Sequence, residues 1–156
     1  MYHSAWYALE QGDLNDALGM ATAAITARSQ QLGAEHESTL YSIAMVVSTY
    51  RSQGRWKEAE ELEVKVMETR VRVLGGEHPD TLTSMANLAA TYWNQGRWKE
   101  AEELEVKVME TRVRVLGGEH PDTLTSMANL AATYWNQGRW KEAEDLISEA
   151  AEASGR

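Results

Sequence analysis

The sequence contains no cysteine. Disulfide bridges and thiolate metal sites are thereby excluded, and a reducing, cytoplasmic setting is expected. No apolar run approaches the roughly 20 residues that cross a bilayer, so no membrane partner is expected. The opening stretch MYHSAWYALEQG lacks the layout of a secretory leader and reads as a helix. Positive charge is short: 15 Lys and Arg stand against 24 Asp and Glu, for a net charge of −9. Nucleic-acid binding needs a basic stripe, so that class is set aside. Strand alternation, phosphate loops, zinc spacings and a nucleophile with a base at motif distance are all missing. Carboxylates pair only as helix-surface neighbours, such as Glu58 and Glu61. These absences leave no enzyme, no cofactor and no metal centre.

What is present is repetition. Residues 54–95 recur letter for letter as residues 96–137, and a worn copy, residues 12–53, keeps 14 of the 42 positions. Among those kept are Gly12, Ala17, Leu32, Gly33, His36, Leu40, Ala44, Tyr50 and Gln53. Self-similarity at such a period is the signature of a solenoid, in which each unit packs only on its neighbours. Apolar residues at 43% suffice for a continuous core.

Each copy reads as a long helix followed by a shorter one. The long helix runs from about Arg55 to Leu74, with Trp56, Ala59, Leu62, Val66 and Val73 on one stripe. Its charged residues, with i,i+4 pairs Glu61–Lys65 and Glu68–Arg72 each worth about 0.2–0.5 kcal/mol, read as a solvated outer face. Gly75-Gly76 stops this helix. Pro79 suits the first turn of the next, where its missing N–H is harmless, and that helix runs to about Asn94. Gly96 makes the tight turn back. Upstream, Met1–Gln11 and Asp13–Leu32 read as the first two helices, with Gly33 in a left-handed position after the second. Downstream, Arg139–Ala153 reads as a shortened long helix. The expectation is all-α: eight helices in four antiparallel hairpins, forming one solenoid over residues 1–156. Its units are 1–33 (truncated at its start), 36–75, 78–117 and 120–154.

The run Asn87-Leu88-Ala89-Ala90-Thr91-Tyr92, followed by Gly96, Trp98, Ala101 and Leu104, resembles the tetratricopeptide repeat. The period and the LGGEHPDTL junction are similar to the kinesin-light-chain type of that repeat, and most of all to the C-terminal arrays of fungal NOD-like receptors. The resemblance implies a right-handed α-solenoid whose shorter helices line a concave face. On residues 79–94, Leu82, Met85, Leu88, Ala89 and Tyr92 form one stripe that reads as core. Thr83, Ala86, Asn87, Ala90, Trp93 and Asn94 form a second, uncharged stripe.

The candidate groove residues are therefore Thr83, Asn87, Ala90, Trp93 and Asn94, their equivalents Thr125, Asn129, Ala132, Trp135 and Asn136, and Arg51, which stands where the later copies have tryptophan. In related repeats an asparagine at the place of Asn87 and Asn129 bonds the backbone of an extended peptide; the other reading is an asparagine bonding its own helix. Trp93 and Trp135 read either as binding anchors or as packing against the adjacent repeat. Trp56, Trp98 and Trp140 read as core. His36, His78 and His120 recur beside acids. Successive repeats lie too far apart for them to share an ion, so they are expected to terminate or cap helices.

The resemblance implies a protein-interaction scaffold that presents a groove to a peptide or protein, within the ligand-sensing part of a larger NOD-like receptor of innate immunity. Two other readings stand beside it. One is a self-associating array, joined through apolar ends at Met1, Tyr2, Trp6, Tyr7 and Leu9 and at Leu146 and Ile147. The other is a generic or consensus-like engineered adaptor.

Overall fold

The structure, a computed structural model, describes residues 23, 25, 33 and 36–155. Among the described residues there are six α helices and no strand. They are α1 (Glu37–Ser52), α2 (Trp56–Leu74), α3 (Pro79–Asn94), α4 (Trp98–Leu116), α5 (Pro121–Asn136) and α6 (Trp140–Ser154). The count of eight thus becomes six described helices. The expected first two, Met1–Gln11 and Asp13–Leu32, lie outside the described residues, apart from helical Ala23 and Ile25. The apolar N-terminal residues expected to seek a partner fall there too.

The chain divides into two compact units, residues 1–69 and 70–156. In the first, Leu40, Val46 and Val47 of α1 and Ala59 and Val66 of α2 are buried. In the second, α3 packs on α4, α4 on α5 and α5 on α6. Met127, Leu130, Ala131, Ala143 and Leu146 form a core cluster there, flanked by Val106, Met109, Leu124, Tyr134 and Ala150. Ala101 and Ala143 are wholly buried between packed helices, and so small a side chain lets backbones come near.

The junctions follow from local chemistry. Gly75 and Gly117 sit at φ +92°, a left-handed conformation that L residues avoid. His78 and His120 then cap α3 and α5. Each is extended, and its Nδ1 accepts the N–H of Asp80 or Asp122 at 3.1 Å. A ring nitrogen here does what a Ser or Asp oxygen does at an N-cap. At the other end, Arg97 N–H donates to the Tyr92 carbonyl at 2.9 Å, and Gly96 at φ +74° permits the reversal. The Arg97 guanidinium then lies 4.4 Å above the Tyr92 ring, and Arg139 repeats this 4.3 Å above Tyr134.

Three sequence expectations are corrected. Val73 and its equivalent Val115 are 52% and 51% exposed. The stripe is right, but the 19-residue α4 outreaches the 16-residue α5 by about 4.5 Å at 1.5 Å per residue. Its last turn therefore has no cover. Trp56 and Trp98 are only half-buried, and Trp140 is 58% exposed. Trp98 meets Trp93 edge-on at 5.3 Å, and Trp140 meets Trp135 at 6.1 Å. They flank the tight turns, while alanines hold the core seats. Lastly, Leu146, expected to lie uncovered, is buried against α5; its neighbour Ile147 is 54% exposed.

Candidate functional site

A cleft of about 270 Å³ opens in the second unit. Ala86, Ala90, Trp93 and Asn94 of α3 form one wall, Ser126, Asn129 and Ala132 of α5 the other, and Glu105, Val108 and Arg112 of α4 the floor. The alanines make the room. Each is a short side chain at a position where a longer one would fill the gap between two parallel helices. Trp93, half-buried, closes one side with an indole held by Trp98.

Of the candidate residues, the structure brings together Ala90, Trp93, Asn94, Asn129 and Ala132. Thr83, Asn87, Thr125, Trp135 and Asn136 are exposed and do not line this cleft. Two kinds of them are turned to their own helix. The hydroxyls of Thr83 and Thr125 donate to the Pro79 and Pro121 carbonyls at 3.0 Å. The Asn94 and Asn136 amides donate to the Ala90 and Ala132 carbonyls at 2.8 Å. Arg51 belongs to the first unit, in the last turn of α1.

The sequence reading missed the floor. Glu105 is only 8% exposed, although the charged run of its helix reads as a solvated face. The Thr133 hydroxyl on α5 donates to its Oε1. Burial pushes the Glu105 carboxyl up to about 7; Glu102 adds to the rise and the Thr133 hydrogen bond opposes it. Arg112 reaches from the floor to the start of α5, where its Nη1 donates to Ser126 Oγ at 2.8 Å and to the Asp122 carbonyl at 3.3 Å. Arg70 grips Ser84 and Asp80 of α3 in the same way. The missed signal was spacing. Ala101, Glu105, Val108 and Arg112 step by four, three and four, which places both charges on the buried stripe.

The arrangement can hold an extended segment: a small-residue channel with an indole wall, amides at its rim and an acid at its floor. The described residues contain no group of acids or histidines able to hold a metal ion. No helix among them is long and apolar enough to cross a membrane.

Comparison with known proteins places the fold. The crystal structure of the nearly identical TPR-like, kinesin-light-chain repeats of Podosopora anserina is similar at a TM-score of 0.81 and 29% identity, covering 94% of this chain and 69% of that one. A singly substituted variant of that protein gives the same figures. BtubC (BKLC) from P. vanneervenii shares the fold at a TM-score of 0.80 and 17% identity, over 92% of this chain and 57% of that one. None of the curated proteins matches the chain. The tetratricopeptide-repeat profile matches residues 42–112 and 87–154. With that profile spanning most of its length and its helices superposing on solved repeats of the kinesin-light-chain type, the chain belongs to the tetratricopeptide-repeat family.

Proposed function

We propose that this chain is a non-enzymatic, cytoplasmic interaction scaffold that binds an extended peptide segment in the cleft between α3 and α5. The observation that carries the reading is the cleft itself, a channel whose α3 and α5 walls are uncharged and include Trp93 and the amides of Asn94 and Asn129. A fixed aromatic beside small residues is the composition of an interface anchor site. The test begins with displayed random dodecapeptides selected on the chain. Trp93→Ala should then weaken a recovered peptide by at least about 2 kcal/mol in calorimetric titration, with helical circular dichroism unchanged. If binding survives that change but is abolished by reversing the exposed charges Lys107 and Glu110, the groove reading is wrong.

The wider setting we propose is the ligand-sensing array of a NOD-like receptor. Its support is the LGGEHPDTL junction and the letter-for-letter recurrence of residues 54–95, together with a structural neighbour from Podosopora anserina that also carries nearly identical repeats. Detection of a nucleotide-binding segment in the same transcript would support it, and a transcript encoding only repeats would remove it.

One observation favours a second reading, self-association. Ile147 of α6 is 54% exposed at the place where α4 carries the covered Glu105. A second copy laid on that face would bury it. Sedimentation velocity at rising salt, which screens the net charge of −9, should then show a dimer or longer assembly that Ile147→Glu abolishes. A monomer at every concentration and salt would exclude it.

A further inference from the structure

We infer that the cleft floor at Glu105 receives a basic side chain, lysine or arginine, from the bound segment. This rests on the groove reading above and goes on to name the chemistry of the occupant. Glu105 is 8% exposed yet lines the open cleft, so protein surrounds its carboxylate except on the side a ligand would enter. The cleft-lining residues from α3 and α5 are alanines, Trp93, Asn94, Ser126 and Asn129, none of them charged. From α5 it also receives the Thr133 hydroxyl.

The charged and titratable groups around it, among the described residues, are Glu102 and Arg112 of α4, Arg139 before α6, and Tyr134 of α5. Burial pushes the Tyr134 phenol up, and Glu105 adds to the rise. Glu102, a turn earlier, repels it and is itself bonded by Arg139 at 2.6 Å. Arg112 is two turns later, about 10 Å along the axis at 1.5 Å per residue, and its guanidinium bonds Ser126 and the Asp122 carbonyl. A carboxylate so desolvated is unfavourable when ionised. Its carboxyl rests near 7 for that reason.

A ligand ammonium or guanidinium at hydrogen-bond distance would reverse this, pairing with the ionised form and releasing a proton. The Trp93 indole on the wall of the same cleft offers a cation a π face. The net charge of −9 draws in a basic segment and disfavours an acidic one. An acidic side chain would have to pair with Arg112 through Nε or Nη2, its Nη1 hydrogens being already used, and would share the cleft floor with Glu105, which repels it when ionised. Two opposed charges on one floor thus give different predictions, and the more buried one, which meets only uncharged side chains from α3 and α5 in the cleft, decides for the cation.

The experiment selects phage-displayed random dodecapeptides on the full 156-residue chain and on its Glu105→Gln variant. On the native chain the recovered peptides should share a lysine or arginine at one register position, and on the variant that preference should vanish. A recovered peptide without histidine, followed by fluorescence anisotropy, should bind about five- to tenfold more tightly at pH 8 than at pH 6, because the ionised acid is the form that pairs. Replacing its basic residue with norleucine should remove both the tight binding and the pH dependence; this arm needs no change to the protein. Recovered peptides with an acidic preference or none, still displaced by Trp93→Ala, would overturn the inference and leave the groove reading standing. So would pH-independent binding of a basic peptide. Recovered peptides indifferent to Trp93→Ala, or no enrichment at all, would remove both.

Discussion

Glu105 sits where a hydrophobic residue would serve packing as well, and its equivalent Glu63 is likewise buried, at 5% exposure. Such an acid leaves a mark on stability. Its carboxyl is raised in the folded state to about 7 from an ordinary 4.5. Between those values the folded chain holds a proton that the unfolded chain has lost. The contribution is therefore fully present below about pH 4.5 and is lost as pH rises through 7. Denaturant titrations of the native chain should show stability falling from pH 5 to pH 8. Glu105→Gln, a neutral isostere, should remove roughly 1–3 kcal/mol of that fall. Equal slopes in the two chains would mean that the acid is better solvated than its 8% exposure implies. Arg112 is a different case. Its bonds to Ser126 and the Asp122 carbonyl tie α4 to the first turns of α5, so its first role is in fixing the floor of the cleft to its α5 wall.

At the scale of the element, the junctions carry most of the specification. Gly96 has nothing within 4 Å of where a Cβ would stand, so Gly96→Ala meets no clash. Its cost is only that of a left-handed φ of +74°, about 1–2 kcal/mol. His120→Ala should cost about 0.5–2 kcal/mol through the lost cap on Asp122 N–H. Chemical denaturation of both variants checks these figures; a neutral Gly96→Ala would mean that the turn relaxes to another conformation. These junctions are also where the sequence was most legible. Glycine, proline and the histidine caps act on residues two to four positions away, so helix starts fall within a residue of expectation at Trp56, Pro79 and Trp98. The core stripe of α3, from Leu82 to Ala89, was readable for the same reason, as one period on one helix. What was not readable depends on two helices at once. Helical spacing alone puts Glu105 on the buried stripe, but only the meeting with Thr133 of α5 makes it a buried acid rather than a solvated one. Trp140 shows the converse: an aromatic at a helix start reads as core, yet it lies 58% exposed beside Trp135, while its equivalent Trp98 with the same kind of partner is half-buried.

At the scale of the whole molecule, repetition makes a test available that ordinary domains do not permit. A chain lacking residues 96–137 joins Gln95 to Gly138, and that junction reads just as Gln95–Gly96 and Gln137–Gly138 do. The turn chemistry is kept, and α6 follows α3 in the place of α4. Ala143 can take the seat of Ala101, since both are wholly buried at the same point of the repeat. What is lost is α4 and α5, with Val108, Met127, Leu130 and Ala131 among their buried side chains. Stability in repeat proteins is close to a sum of unit and interface contributions. Removing one unit and one interface should therefore lower the melting temperature without abolishing the cooperative transition. Each 1 kcal/mol lost corresponds to roughly 2–4 °C in a domain of about 150 residues or more, so the loss of a few kcal/mol should lower the melting temperature by at least about 5 °C in calorimetry. The shortened chain should also lose peptide binding, because α4 and α5 supply the floor and one wall of the cleft. The two readouts separate architecture from site. A folded, less stable, non-binding chain is the expected result. An unchanged or higher melting temperature would mean that the repeats are stable independently of one another, and retained binding would place the site outside the α3–α5 cleft.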